Sequence, residues 1–308
     1  MVELLKGKLL KNAPLDQHTT FRIGGKADLF FVPEDEEDLK KGLSYCYEKE
    51  IPWFILGNGS NLLVSDDGIE GMVIHLDHSF FKKITFEDSQ IRAGAGVKTA
   101  VLLRETLENN FGGIEFLGAI PGTMGGAFYM NAGTYLGEIS SVVKEIKILD
   151  ESLNTKWLSK EELDYRYRHS LFQEKPWVIL EGKLNLPRAE KISAQLKVHE
   201  ILERRKKTQP LGVASAGSAF KNPPSRSAWQ LIDAAGLRGF SIGDAAVSDV
   251  HANFLINKNS ASAKEVLTLM RFIQKTVLEK TGILLEPEIK LVGRWKENFL
   301  TKPCEVGK

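Results

Sequence analysis

The chain has 308 residues, 43% hydrophobic and 26% charged, a globular composition with room for two or three domains. Its 41 basic and 40 acidic side chains nearly cancel, so bulk charge excludes a nucleic-acid or membrane surface. Cys46 and Cys304 are too few for a disulfide framework, and the six histidines lack metal-ligand spacing, so no metal site is expected. With no signal-peptide pattern in residues 1–12 and no apolar run of ~18 residues, a reducing cytoplasm fits best.

The amino-terminal part of the chain predicts an α/β pattern. The glycine pair at 24–25 precedes an aromatic run, which indicates a turn entering a strand. Residues 35–50 predict a helix, and strands follow at 53–56 and 72–76. The apolar positions of the helix are Leu39, Leu43, Cys46 and Tyr47.

Residues 57–61, with the sequence GNGSN, lie between two apolar runs. Alone, this pattern predicts a strand, a tight turn and a second strand, as in a plain hairpin. Its glycines open the main chain, and Ser60 and Asn61 add side-chain donors. A second such run would suit a long ligand with a diphosphate centre, such as a dinucleotide.

That second run lies at residues 118–127, after a predicted strand at 90–93 and a helix at 98–110 ending at Gly112-Gly113. Four glycines within nine residues can expose several N–H groups to one anion. The run has neither the Walker pattern nor the Rossmann spacing. A glycine-rich turn needed only for packing is an equally supported interpretation.

Further elements are predicted as strands at 142–149 and 177–182 and a charged helix at 188–206 that marks a domain boundary. The basic cluster 204–207 is typical of a solvated helix end, and phosphate contact is the alternative. Capping boxes at 227–230 and 262–265 predict helices that stop at glycines 236 and 282. Strands are predicted at 253–257 and 283–292, and the polar end from about 294 is expected to fray.

Three stretches carry reactive side chains. If residues 165–168 (YRYR) form a strand, both guanidinium groups share one face and can bind a carboxylate; a plain surface strand is the alternative. Ser218 lies among small residues without a histidine base, so it is either a turn hydroxyl or a proton donor to a carbanion. On a strand, Glu286, Glu288 and Lys290 share one face, as an acid/base pair or as an exposed edge at Pro287.

Six motifs occur in the order of one family, at residues 19–25, 57–63, 120–127, 167–170, 216–223 and 285–289. Together they resemble the UDP-N-acetylenolpyruvoylglucosamine reductases, FAD-dependent enzymes of bacterial peptidoglycan precursor synthesis, over about residues 12–293. The resemblance implies an α+β fold, with a two-part FAD-binding domain of the vanillyl-alcohol-oxidase (PCMH) type and a carboxyl-terminal substrate domain. The implied ranges are 1–75 and 76–187 for FAD binding, 188–295 for substrate binding and 296–308 for a tail.

The resemblance also implies the chemistry. NADPH reduces non-covalent FAD, and reduced flavin passes hydride from N5 to the methylene carbon of the enolpyruvyl ether of a UDP-sugar. A cytoplasmic monomer without nucleic-acid or membrane partners is expected. Ser218 follows Arg168 by 50 residues (218 − 168), which looks short for the subclass with an inserted tyrosine loop. The loop-less subclass is therefore expected.

By resemblance, Arg168 and Glu288 stabilise the enolate and Ser218 protonates it, with a raised pKa hypothesised for Glu288. Arg168 is chosen because Ser170 follows at the family spacing, and Arg166 and Glu286 are the fallbacks. The implied substrate-orienting residues are Lys221 and Asn222. The implied cofactor-binding residues are Gly57, Asn58, Gly59, Ser60, Asn61, Leu62, Ile120, Pro121, Gly122, Gly125, Gly126, Ala127, Asn131 and Gly133.

Two other functions stay open at this stage. A flavin oxidase on the same fold would often attach its flavin through His or Cys, and the glycine runs contain no His. A non-catalytic sugar-nucleotide-binding protein would purify colourless and would not take up FAD.

Overall fold

The computed structural model describes residues 5–87 and 90–295, so the predicted tail (296–308) and Cys304 lie outside the described residues. Helices and strands are mixed along the chain, as expected for an α+β protein. The strands are β1 (Lys8–Pro14), β2 (Lys26–Val32), β3 (Trp53–Leu56), β4 (Leu62–Val64), β5 (Ile69–His75), β6 (Ile84–Glu87), β7 (Gln90–Gly94), β8 (Gly133–Thr134), β9 (Gly137–Glu138), β10 (Val143–Leu149), β11 (Thr155–Ser159), β12 (Val178–Asn185), β13 (Ala214–Ser218), β14 (Ser241–Ile242), β15 (Ala245–Val247), β16 (Phe254–Asn257) and β17 (Lys290–Val292). The α-helices are α1 (Glu36–Glu48), α2 (Thr99–Glu108), α3 (Met124–Met130), α4 (Lys191–Thr208), α5 (Ala228–Ala234) and α6 (Ala263–Thr281).

The chain divides into two compact units. The first comprises residues 5–10, 29–58, 72–87 and 90–205, and the second comprises residues 11–28, 59–71 and 206–295. The chain passes from the first unit to the second for the last time after Arg205, within helix α4, where the sequence predicts a domain boundary. The predicted three-domain division at 75/76 and 187/188 stays a prediction.

The first unit is built on an antiparallel sheet with the strand order β11-β10-β12-β7-β6. Helix α3 packs against β12 at Gly182, where a Cβ atom would lie 2.4 Å from the ring of Phe128. Phe128 is fully buried, so the absence of a side chain at 182 allows the short helix to approach the sheet closely. This contact fixes the helix that begins in the second glycine-rich run.

The second unit packs helix α6 on an antiparallel sheet with the strand order β13-β16-β15-β14. The capping box predicted at Ser262 is confirmed, because its hydroxyl accepts from Glu265 N while the Glu265 carboxylate accepts from Ser262 N. Gly282 ends the helix in the left-handed conformation, with φ of 70°. The predicted apolar face is buried at Val266, Leu269, Met270, Ile273 and Val277.

Several predicted boundaries are wrong for identifiable reasons. Helix α2 ends at Glu108 with Asn109 as its C-cap, and a left-handed Asn110 (φ 59°) follows, before the glycine pair predicted to stop the helix. The side-chain capping bond predicted at Ser227 is absent, because the amide of Gln230 donates to the main-chain carbonyl of Ser227 at 3.1 Å. The strand predicted at 283–292 is regular only in β17, since residues 283–289 follow an irregular path.

The hairpin interpretation of residues 57–61 is also wrong. Strand β3 pairs in parallel with β5, whereas β4 pairs in parallel with β17, so the two strands flanking the run belong to different sheets. Local turn chemistry could not reveal this, because both partners come from later in the sequence. The run is therefore a connection between sheets.

Substitution of Gly59 in this run is expected to destabilise the protein. It has φ of 60°, and a Cβ atom there would lie 2.2 Å from the carbonyl oxygen of His18. Gly212 has a similar φ of 77° but nothing within 4 Å, which makes it a matched control. Gly212→Ala should cost about 1 kcal/mol from left-handed strain alone, and Gly59→Ala at least about 3 kcal/mol. Equal losses in urea unfolding would contradict the role of the backbone contact.

Candidate active site

The second glycine-rich run forms the start of α3. Thr123 caps the helix, and the amides of Met124 and Gly125 donate to Val97 O at 2.8 Å and Ala95 O at 2.9 Å. These two N–H groups are thus used by the protein itself. Fewer main-chain amides of this run are therefore open to an anion than the sequence predicts. The absence of a side chain at Gly125 allows the chain to approach Ala95 closely.

The two glycine-rich runs meet within the first unit. A Cβ atom on Gly57 would lie 2.9 Å from Thr123 Oγ1, and the same hydroxyl accepts from Gly126 N at 3.3 Å. Gly126 is exposed, and a Cβ atom there would meet only this hydroxyl, at 3.6 Å. Gly57 and Gly126 therefore lie on either side of the buried Thr123 hydroxyl and present bare main chain that a planar or anionic ligand can approach closely.

The segment at residues 165–168 is a turn and not the predicted strand. Arg166 and His169 exchange both main-chain hydrogen bonds, at 3.2 and 3.0 Å, around Tyr167 and Arg168 at the tip. Arg168 has φ of 55°, in the left-handed region. The two arginines therefore do not share a strand face, and sequence alternation could not reveal the turn.

The environments of the two arginines differ. The guanidinium of Arg166 is exposed and pairs with Asp164 at 2.5 Å, 2.9 Å from the His169 ring. Arg168 is half-buried, and its Nη2 donates to Gly133 O at 2.8 Å. The Arg168 guanidinium is thus half-buried against a main-chain carbonyl, whereas the Arg166 guanidinium is exposed, so Arg168 is the better placed of the two to meet an anionic substrate.

Asp164, His169 and Glu174 lie close enough together to be considered as a metal site, but the Arg166 guanidinium bonds to this cluster. A cation beside it would meet that positive charge. Nearby, burial raises the pKa of the Tyr165 phenol further above its ordinary range.

Ser218 ends strand β13 and belongs to the second unit. The pairing of β13 with β16 slips between Ser215 and Ser218, and Gly217 within the slip has φ of 77°. This is a β-bulge, a device that redirects the following side chain. Ser218 is half-buried, so the sequence interpretation of a turn hydroxyl is replaced by a strand residue set by a glycine bulge.

Asn253 fixes the chain just after Ser218. It is 3% exposed, its Oδ1 accepts from Phe220 N at 3.0 Å, and its Nδ2 donates to Phe220 O at 2.8 Å. The main chain of Asn253 also accepts from Ala219 N at 2.8 Å. Sequence reasoning missed this residue, since one asparagine in a loop gives no local signal.

Glu288 lies on the segment beside Ser218. Its N–H donates to Ala219 O at 2.9 Å, and its carbonyl accepts from Asn61 Nδ2 at 3.1 Å. The structure thus brings the segments carrying Ser218 and Glu288 together within one unit. Asn61 helps to hold the Glu288 segment through its side-chain amide.

Glu286 and Glu288 are not equivalent, contrary to the shared strand face predicted for them. Glu286 is exposed and forms an ion pair with Lys221 at 2.5 Å, whereas Glu288 is half-buried. Lys290 is also half-buried, and burial and the Lys221 charge lower its pKa. The ion pair holds Glu286 and Lys221 together at the surface, and burial favours Glu288 as the candidate carboxyl group of the two.

Two sequence models match the chain in order. The first describes an FAD binding domain over residues 27–155, and the second describes the UDP-N-acetylenolpyruvoylglucosamine reductase carboxyl-terminal domain over residues 209–292. The first range contains both glycine-rich runs. The second contains Ser218 and Glu288.

Curated relatives match over nearly the whole chain. The UDP-N-acetylenolpyruvoylglucosamine reductase of Caldanaerobacter subterraneus subsp. tengcongensis is 45% identical over 94% of this chain and 96% of its own. The enzyme of the same name from Clostridium perfringens is 44% identical over 92% of each chain. The crystal structure of UDP-N-acetylenolpyruvylglucosamine reductase (MurB) from Thermus caldophilus is 34% identical, with a TM-score of 0.80 over 93% of this chain and 99% of that chain.

Proposed function

Because this chain belongs to the UDP-N-acetylenolpyruvoylglucosamine reductase family, we propose that it is an FAD-dependent oxidoreductase of peptidoglycan precursor synthesis. It uses NADPH to reduce the enolpyruvyl group of UDP-N-acetylglucosamine-enolpyruvate, giving UDP-N-acetylmuramate. The observation that carries the proposal is full-length similarity, at 45% identity over 94% of the chain, to an enzyme named for this reaction.

The residues of the chain suit FAD. Bare main chain at Gly57 and Gly126 allows close approach, and Thr123 adds a hydroxyl between them. When bound, FAD accepts hydride from NADPH and supplies it to the enolpyruvyl methylene carbon. We propose that residues 57–62 and 120–127 contact the cofactor, mainly through their main chain, and that the flavin is held non-covalently.

The protein groups act on the charge that hydride addition creates. Negative charge develops on the adjacent carbon and its carboxylate, and a preorganised fork such as the Arg168 guanidinium stabilises it through two parallel bonds. Glu288, if protonated, adds a hydrogen-bond donor, and the Ser218 hydroxyl transfers its proton to the carbon. A serine is a weak acid, but an enolate of a carboxylate is a strong base, so positioning makes the transfer feasible.

The local geometry supports Arg168 over Arg166 and Glu288 over Glu286, because each alternative is exposed whereas Arg168 and Glu288 are half-buried. Lys221 and Asn222 are proposed to orient the substrate through the segment they belong to. Their side chains bond to Glu286 and to the first amide of α5, respectively. The loop-less subclass remains part of the proposal, since Arg168 and Ser218 are separated by 50 residues (218 − 168).

Among the described residues, no helix has the length and apolarity required to cross a bilayer. We propose a cytoplasmic monomer that takes only the UDP-sugar, NADPH and FAD as ligands. Sedimentation at several protein concentrations tests the monomer, and a mass that rises with concentration would contradict it.

Anaerobic stopped-flow absorbance tests the reaction directly. NADPH should bleach the flavin band, and the enolpyruvyl UDP-sugar should restore it in a second, separable phase. Flavin that stays attached after mild denaturation would favour the covalent flavin oxidases. Colourless protein that cannot be reconstituted with FAD would favour a non-catalytic binding protein.

A further inference from the structure

The carboxyl-terminal end of α3 is joined to the turn that carries Arg168. Asn131, just after the helix, is fully buried and has φ of 44°. Its Nδ2 donates to Arg166 O at 3.0 Å, and its Oδ1 accepts from Ser140 N at 3.0 Å. An acceptor faces one end of the amide and a donor faces the other, so only one orientation of the side chain satisfies both.

Further bonds hold the other side of the same turn. The Arg168 guanidinium donates to Gly133 O at 2.8 Å, and Gln173 Nε2 donates to Arg168 O at 3.0 Å and to Tyr129 O at 3.2 Å. Gly133 itself pairs with Glu138 so tightly that a Cβ atom would lie 2.5 Å from the Glu138 Cβ. Residues 129–133 therefore hold both the main chain and the guanidinium of the arginine turn.

This network differs from the cofactor-binding role that the resemblance implied for Asn131 and Gly133. With no exposed surface and with both ends of its amide bonded to protein, the Asn131 side chain is used to hold the fold around the arginine turn. The absence of a Cβ atom at Gly133 is explained by the hairpin with Glu138. Both residues face inward, toward the arginine turn.

We propose that Asn131 is a positioning residue for the reduction of the enolpyruvyl group, acting through Arg168. The inference rests on the proposed function, in which Arg168 stabilises the enolate. Arg168 lies at the tip of a two-residue turn, so a small tilt of the turn moves its long side chain by a larger distance. Misplacement of a reacting group by about 1 Å can slow a reaction ~100-fold. Because Arg168 acts only on the enolate, loss of the Asn131 amide should slow the second half-reaction alone.

Asn131→Gly tests the inference, because glycine keeps the left-handed conformation and removes both side-chain bonds. In anaerobic stopped-flow, flavin reduction by NADPH should keep its wild-type rate, and reoxidation by the enolpyruvyl substrate should slow by about 10- to 100-fold. Asn110→Gly is the matched control, since Asn110 is an exposed asparagine with φ of 59° after another helix, and it should change neither phase.

Asn131→Asp is the second variant, so that the test survives if one of them fails to fold. Aspartate tolerates the left-handed conformation and keeps an acceptor for Ser140 N, but it places an oxygen against the Arg166 carbonyl. The same selective loss is expected. Slowing of both half-reactions alike in the folded variants would indicate a general structural role and overturn the inference.

A double-mutant cycle with Arg168→Lys distinguishes failure of this inference from failure of the proposed function on which it rests. If Asn131 acts through Arg168, Asn131→Gly should add little to the slow reoxidation of Arg168→Lys, whereas fully additive effects would overturn the inference. Slow reoxidation in Arg168→Lys with a normal rate in Asn131→Gly would also overturn it, leaving the proposed function intact. A normal rate in Arg168→Lys would overturn the role of Arg168 and the inference together.

Discussion

Replacement of Ser218 by alanine should leave the reduction of flavin by NADPH near its wild-type rate and slow reoxidation by the enolpyruvyl substrate by about 10²- to 10⁴-fold. The reason is that only the second step produces a carbanion that needs a proton. The fold around the residue should tolerate the change, because Asn253 fixes residues 219–220 and the bulge at Gly217 sets the chain. Anaerobic stopped-flow resolves the two phases.

Ser227→Ala is the control for this prediction. Ser227 lies in the same unit, is half-buried and makes no capping bond to helix α5, so both phases should stay unchanged. If Ser218→Ala slowed both phases equally, Ser218 would be a structural residue and another group would have to supply the proton.

Arg168→Lys should slow reoxidation by about 10²- to 10³-fold, again with flavin reduction preserved. Lysine keeps the positive charge but not the planar fork, so it cannot make two parallel bonds to a carboxylate while also donating to Gly133 O. The comparison of the two phases in the variant and the wild type measures the effect.

Arg166→Lys provides the paired control, because this side chain is exposed and bonds to Asp164 at the surface. Exposed ion pairs contribute little to stability, so little change is expected in either phase. If Arg166→Lys caused the large loss and Arg168→Lys did not, the catalytic arginine would be Arg166, in the first of the two Tyr-Arg pairs.

The sequence predicts most reliably the helices and strands that are determined by residues close together in the chain. Helix α6 was predicted with its capping box, buried face and terminal glycine, and strands β3, β7, β10 and β12 lie close to their predicted ranges. Each of these depends on periodicity or on a cap within a few residues. The α+β class was implied by the resemblance to the family, and the mixed helices and strands agree with it.

The features that sequence reasoning missed depend on distant partners. Local turn chemistry predicts a hairpin at 57–61, whereas the partners of the flanking strands lie at residues 72–75 and 290–292. The alternation of Tyr and Arg predicts a strand at 165–168, and it gives no sign that Asn131, 35 residues earlier, bonds to Arg166 O. For the candidate site, the sequence identified the residue types, while the choice within each pair required the burial of the side chains in the folded chain.

The parallel pairing of β4 with β17 has a consequence for biosynthesis. Leu62 pairs with Lys290, so 228 further residues (290 − 62) must be made before the partner strand exists. At translation rates of roughly 5–20 residues per second, that interval lasts about 10–50 s. For this time the nascent chain carries an apolar strand whose proper neighbour has not yet emerged from the ribosome, which makes β4 a segment that chaperones would be expected to shield.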